Sequence, residues 1–495
     1  MAVSDAQYSA WLADERNQRC VLVDIEYRSS GGSTVKDYLS THPFVTNLSD
    51  TPASTAYRNV ILEIPQMSQE MSDVLVGRTT PSVANIRIDN GDGALDSWIT
   101  ANFAGRPLTM YLGDPSWPKA DYRSVWTGVA SAITVNRTSS LTIEARARDH
   151  LLTQDIITTK YTSGASEGRY KPLAYGACYN VSPLYIGTGT DHKYAFNAAD
   201  TYTSPDVRIS GVVTTSRTDN GDGTFSLWSE ATGQVTCDVP SGMYSGGTQF
   251  RTLKQIVKDL CVTRGPFVEA DFESTMWAAL DTTFPQYMGL WIPSPIKYFE
   301  ALDQLCASVG AFYYVNRDGK IVIGKFELSG TATLSIGPDQ IVAKGLSIVK
   351  VYQPMDNLRR GYARMWTTQD SFGDNDGAGL VNETDREKWR NEYSWVASTN
   401  SGAANLLKTL DPNQKGTLLT SKSDCQTEAD RWMGIWGSVR VRYAIECFLD
   451  GARVNLGDRV QITHPRFGLS AGVTGTVVKY TDQPTKRRQI LEVLM

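Results

Sequence analysis

Two short runs of oxygen-bearing side chains offer the first prospect of chemistry. They are Asp89-Asn90-Gly91-Asp92-Gly93 and Asp219-Asn220-Gly221-Asp222-Gly223, the same five residues twice. An EF-hand loop needs oxygen ligands at positions 1, 3 and 5, Gly at 6 and a bidentate Glu at 12. With Gly93 at position 6, Ile88 stands at position 1 and Ile99 at 12. With Gly223 there, Thr218 and Ser229 take those places. Both fail where charge is required. Asn-Gly and Asp-Gly pairs instead tolerate the positive φ of tight turns between strands. The flanks agree, since ANIRID alternates before the first copy and GTFSLWS after the second. The spacing predicts two turns without bound metal, a nonstandard metal loop being the alternative.

The remaining residues of chemical interest do not assemble along the chain. His42, His150, His192 and His464 stand far from one another and from every cysteine, so zinc spacings are absent. His150, which precedes LLTQDI, reads as a surface or capping residue. No GxxxxGK[ST], GxGxxG or HExxH motif occurs. Cys20, Cys178, Cys237, Cys261, Cys306, Cys425 and Cys447 form no CxxC pair and read as buried thiols. Asp374 and Asp376 in GDNDGAG read as a solvated loop, a cation site being the alternative. Carboxylate pairs of the glycosidase type meet in space and leave no linear signal. The expectation is therefore of no catalytic, cofactor-binding or metal-ligating residue, no cofactor and no enzyme.

Composition sets the class. A chain of 495 residues prefers three or four domains. Its net charge of −5, without a Lys/Arg block, argues against nucleic acid or an anionic membrane as main partner. No apolar run approaches the roughly eighteen residues of a membrane span. MAVSDAQYSAWLADERNQR has no apolar core, so no signal peptide is expected.

The elements that must position these residues are mostly strands. Residues 5–17 read as a short amphipathic helix. VLVDIEY and LTIEARAR alternate with period two, and with RPLTMYLGD and VWTGVASAITV they predict a half-buried antiparallel sheet or barrel over about 20–150. Residues 160–245, rich in Tyr, Thr and Gly, predict a small all-β insert, and VPSGMYSGGT reads as a linker. TLKQIVKDLC has helical spacing. In SPIKYFEALDQLCASVG, Ser294 is the expected N-cap, Pro295 opens the first turn and Gly310 ends the helix. Both helices end in Leu-Cys-x-x-x-Gly, a weak internal repeat. A hairpin turning at Asp318-Gly319 follows, and strands return after about 330. Helices are expected in NETDREKWRNEYSW and TEADRWMGIWG. The fold class is mainly β with α+β, in several domains.

In this order the pieces resemble the tail-tip, or baseplate hub, proteins of tailed bacteriophages. THPFVTN, SVANIRIDNGDGALDSW, GRPLTMYLGDPSW and VWTGVAS resemble the family's N-terminal β domain. YKPLAYGACYNVSPLYI with GTFSLWSEATGQVTCDV is similar to an insert found in it. VGAFYYVNRDGKIVIGKFE, RRGYARMWTTQ and LGDRVQITHPRFGL resemble its later domains. The likeness covers about residues 20–495. It implies domains at 1–155 (β, tube-like, with a leading helix), 156–248 (small all-β insert), 249–328 (α+β) and 329–495 (β, tube-like, with helical insertions). The two tube-like units are expected as antiparallel barrels.

The resemblance implies a structural virion protein at the tail tip or baseplate, assembled in the host cytoplasm. Three copies would close the distal end of the tail tube in a ring. Its partners would be the distal tail protein, the tape-measure protein and a tail fibre or central spike, with DNA only passing through the channel. Two departures matter. The chain ends at Met495 after a strand, so fibre and cell-wall hydrolysis are expected in other proteins. Its scattered cysteines do not reproduce the clustered iron–sulfur set of some tail-tip proteins. The alternatives are the distal tail protein of the same tip, and a carbohydrate-binding or carbohydrate-cleaving receptor-recognition protein whose insert at 160–245 would meet the glycan.

Overall fold

Period-two alternation builds the first sheet. Val21, Val23, Ile25 and Tyr27 of the strand Cys20–Arg28 face one apolar layer, while Cys20 and Leu22 face another with Phe44, Tyr57 and Tyr122. The computed structural model describes all residues except 1, 15, 73–74, 81–82, 138, 200, 370–371, 373–380, 405–412, 449–453 and 484–486. Nine strands lie in the order Phe44–Val45, Ala56–Asn59, Thr34–Ser40, Cys20–Arg28, Arg106–Gly113, Arg123–Arg137, Ser140–Arg146, Val83–Asp89 and Ile61–Glu63. All neighbours run antiparallel except Thr34–Ser40 beside Ala56–Asn59.

The leading helix, Asp5–Ala13, lays Tyr8, Trp11 and Leu12 on this sheet. Ser4 and Gln7 close its first turn as a capping box. It stops four residues earlier than the sequence reading of 5–17. Asp14 accepts the backbone N–H of Arg16 at 3.0 Å and grips its guanidinium, so a local side-chain turn outcompetes another helical turn.

The insert is two four-stranded sheets around Phe196, Phe225, Val207, Cys178 and Cys237. The stretch read as a linker is packed instead. Met243 is buried, its N–H donates to the Ala174 carbonyl at 2.8 Å, and Tyr244–Ser245 pairs with Thr248–Gln249.

In the helical unit, Leu253–Val257 runs into a π-helical turn over Lys258–Thr263, whereas Tyr298–Ser308 is α-helical and closes at Gly310 with φ +68°. The two Leu-Cys-x-x-x-Gly ends thus differ in backbone. The second helix is capped by Lys297, not Ser294. Residues 154–156 hold the preceding segment extended, through the Ile296 carbonyl and a bridge from Asp155 to Lys297, so the first turn forms only after them. Glu300 then accepts the Lys297 N–H at 2.7 Å. The hairpin Ala311–Val315 and Ile321–Lys325 turns at Gly319 with φ +73°, as expected.

The last sheet runs Leu334–Ile336, Arg459–Ile462, Val473–Gln483, Arg488–Leu494, Arg440–Phe448 and Ile341–Tyr352. Met67–Glu70 joins it by pairing with Val473–Gln483, and Gly77–Arg78 adds to the hairpin strand Ala311–Val315. Between the paired strands Ile341–Tyr352 and Arg440–Phe448 lies a smaller layer. Asn357–Tyr362 is its middle strand, flanked by Ser394–Thr399 and Asn413–Gly416, with the helix Lys422–Trp436 on one face. That helix starts before the TEADRW run, because Ser421 caps it through the Asp424 N–H. Helix Glu383–Arg390, capped by Asn382, matches its sequence signal.

The fold is mainly β and multi-layered, as the sequence implies. Among the described residues, both large sheets are open strand orders. One apolar cluster joins the helical unit, the small layer and the last sheet. No helix of the described residues is long and apolar enough to cross a membrane.

Candidate assembly surface

The edge of the last sheet departs from what a sheet edge normally shows. Ile341–Tyr352 pairs on one side with Arg440–Phe448, and among the described residues nothing pairs its other side. Residues 347–351 are all exposed, so both faces of this stretch are open to solvent. Ile348, Val349 and Val351 stand 42%, 49% and 47% exposed. Val349 is an extra residue in the register between Ile348 and Lys350, and a second irregularity separates Ile341 from Leu346. Bulges and the lysines at 344 and 350 are common ways to blunt an edge. Here the bulge and Lys350 fall among three exposed β-branched residues. Such an edge is a ready template for another strand.

Charge pairs hold the sheet behind this edge. Arg442 reaches Glu70, and its Nε lies 2.6 Å from Glu492. Lys479 lies 3.0 Å from Glu70 and 3.3 Å from Glu492. Two acids and two bases alternate, binding the Met67–Glu70 strand to its host sheet. Burial alone would raise the Glu70 pKa. The hydrogen bonds from Arg442 and Lys479 overcome it and hold the carboxyl below its ordinary value.

A second pair lies deeper. The Nη2 of Arg317 lies 2.9 Å from Asp482, and its Nη1 donates to the Val454 carbonyl and to Asn455, each at 2.9 Å. Its guanidinium stacks over Tyr480 at 4.1 Å. Burial works to lower the Arg317 pKa, and Asp482 raises it instead. This clasp fixes the Asp318-Gly319 hairpin against the last sheet.

The residues singled out in the sequence are occupied elsewhere. Asp89 accepts the Gly91 N–H, Asp92 accepts the Ala94 N–H, and Asn90 takes the Leu95 N–H and donates to Asp96. Gly93 has φ +70°. This copy is a turn, yet not a hairpin: it leads into a 3-10 turn at Asp96–Thr100. Both edges of Val83–Asp89 are already paired, to Ser140–Arg146 and Ile61–Glu63, so the chain has no free edge on which to return.

The second copy is a hairpin turn between Arg217–Asp219 and Thr224–Leu227. Asp219 accepts the Gly221 N–H, and Asp222 accepts the Thr224 N–H and pairs with Lys193 at 3.2 Å. Among the described residues no three His, Cys, Asp or Glu side chains gather as metal ligands. Asp374 and Asp376 lie outside the described residues.

His150 sits half-buried in the turn Arg148–Thr153, its ring 3.4 Å from the Ala147 carbonyl, and burial lowers its pKa. All seven cysteines are buried, and none is in a disulfide among the described residues. Burial pushes Cys425 up to about 11 and Cys261 to about 12, so both stay thiols at neutral pH.

The sequence reading missed the edge. Its one signal was the Ile348-Val349 pair followed by Val351, which breaks the polar–apolar alternation of a strand with one solvated face.

No family model matches the chain, and no curated protein matches it. Solved structures do. The chain is similar to a tail protein from Neisseria meningitidis MC58, at 9% identity over 96% of each chain, TM-score 0.41. It is similar to prophage tail protein gp18 from Listeria monocytogenes EGD-e, at 9% identity over 95% of this chain and 94% of that one, TM-score 0.43. A chain of the virion of a native gene transfer agent particle shares 12% identity over 70% of this chain and 91% of that one, TM-score 0.45.

Proposed function

We propose that the chain is a structural protein of a phage tail and forms the hub of the tail tip. Three copies close the distal end of the tube and connect it to the distal tail protein, the tape-measure protein and a fibre or central spike. The subunit is not an enzyme, and it assembles in the host cytoplasm before joining the virion.

The observation that carries this reading is the edge at 347–351, which among the described residues is unpaired on its outer side and presents three exposed β-branched side chains to another strand. The chain order supports it: a sheet, an insert, a helical unit and a second sheet, the layout the resemblance implies. A tube built of sixfold rings meets a threefold spike. A chain with two β units lets three subunits present six, without a new interface type.

Native mass spectrometry and particle imaging test it. Three copies at the distal end of the tube are expected. Six copies, each giving one β unit to the ring, would move the chain to the distal tail protein.

Glycan binding by the insert is a second reading, favoured by Trp228. It is 70% exposed and donates its Nε1 hydrogen to Thr218 at 3.2 Å. Glycan-array binding abolished by Trp228→Ala would support it, and an array without binding would remove it.

A further inference from the structure

A pocket of about 230 Å3 opens beside the small layer between the two long strands. Tyr352, Met355, Trp432 and Trp436 wall it, and Arg360 and Lys415 line it. None of the described residues lining it is an Asp or Glu. Arg360 and Lys415 face each other directly across adjacent strands. Like charges in that position repel.

Neither cation has an acid of its own among the described residues. Arg360 is 8% exposed, and its Nη1 donates only to the Arg359 carbonyl at 3.2 Å and to Asn413 at 3.3 Å. Glu428, whose charge is felt at Arg360, is clasped by Arg431 at 2.6 and 2.9 Å. Asp303, whose charge is felt at Lys415, accepts the Arg78 N–H at 2.7 Å and the Tyr313 hydroxyl at 3.0 Å. Burial lowers the pKa of both cations, and the Arg360 charge lowers Lys415 further. A buried cation without an acid is costly, and a second, half-buried cation beside it adds to that cost.

We propose that this pocket binds a carboxylate carried at the end of an apolar body. The carboxylate lies between Arg360 and Lys415, where it removes their repulsion and takes charge-assisted hydrogen bonds from both. The apolar body lies against Tyr352, Trp432 and Trp436. The volume is below the ~300–1,000 Å3 of pockets that enclose a whole drug-sized ligand. It suits one terminal group. The same chemistry disfavours a zwitterion, whose ammonium would enter a site that holds two cations and, among the described residues, no acid.

The test is calorimetric titration of the full chain with 3-phenylpropanoate, 3-phenylpropanamide and free phenylalanine. The acid is expected to bind at least about tenfold more tightly than the amide or the zwitterion, the loss of one hydrogen bond to a charged group. Lys415→Gln and Arg360→Gln should each weaken the acid by about the same factor, and Lys415→Arg should restore it. Lys415 is only half-buried, so its variants decide the matter should Arg360→Gln fail to fold.

Equal binding of acid and amide, no binding at millimolar acid, or unchanged affinity in Lys415→Gln would each overturn the proposal. A hexapeptide ending in Phe, as free acid and as amide, separates the sources. An acid peptide tighter than 3-phenylpropanoate assigns the site to a polypeptide C-terminus, and a weaker one to a free organic acid.

Discussion

Replacing Ile348, Val349 and Val351 together by Lys should abolish association through the open edge while leaving the subunit folded. Fully burying a Val or Ile side chain is worth about 1.5–3 kcal/mol. Each of these is already roughly half covered, at 42–49% exposure, so docking a strand on them recovers about 0.7–1.4 kcal/mol apiece. Three residues then contribute about 2–4 kcal/mol per contact, or roughly 30- to 1,000-fold in Kd. Repulsion among the new lysines and Lys344 and Lys350 makes that a lower bound. Sedimentation velocity over a concentration series reads it directly. Circular dichroism checks that the fold survives, which the side chains' exposure leads us to expect. Val213→Lys, at a site 62% exposed on the insert, controls for added charge. Wild type and control should associate alike, with the triple variant monomeric. Equal association of the triple variant and wild type would refute a role for this edge.

The other expectations concern what holds the molecule and what it does not do. Asp482→Ala leaves Arg317 buried without its acid and should cost about 3–5 kcal/mol. Pairing it with Arg317→Met should recover most of that loss, and hydrogen exchange of the Ala311–Lys325 hairpin reports both. The Glu70 carboxyl is held below its ordinary value of 4.5, so its contribution is present above that pH and is lost as pH falls through the depressed folded value. Acid denaturation of Glu70→Gln should therefore be flatter than wild type below about pH 4.5. Calcium titration should show no tight site, and a stoichiometric one removed by Asp89→Ala or Asp222→Ala would falsify the turn assignment. Peptidoglycan and host surface polysaccharide should remain uncleaved. Cleavage lost on replacing an Asp or Glu of this chain would end the structural reading.

What was legible in the sequence was local. Alternation in Cys20–Arg28 and Ser140–Arg146, the Asp318-Gly319 turn and the Asn382-capped helix all follow from side-chain period and backbone preference within a few residues. Errors arose where a distant segment overrode that preference. Ser294 and Pro295 are good helix starters, yet residues 154–156 hold the segment before Lys297 extended. DNGDG is a good hairpin turn, yet Val83–Asp89 has both edges filled. The candidate surfaces were harder still. Arg360 and Lys415 are brought together by strand pairing alone, and no linear spacing signals two cations on opposite strands. The side of Ile341–Tyr352 left unpaired among the described residues is set by what fails to pair with it, and its own residues signal it only through the broken alternation at Ile348-Val349 and Val351.

The open edge and the two-cation pocket meet at Tyr352. It is the last residue of the edge strand, and its ring packs on Trp436 at 5.2 Å in the pocket wall. Lys350, within the exposed run, lies over the same ring at 4.7 Å. An apolar group seated against Tyr352 and Trp436 therefore buries the end of the strand whose outer side is open. Ordering that end in advance reduces the conformational cost of adding a strand beside it. Any such coupling is reciprocal, since a ligand that favours the paired edge must bind more tightly once the edge is paired.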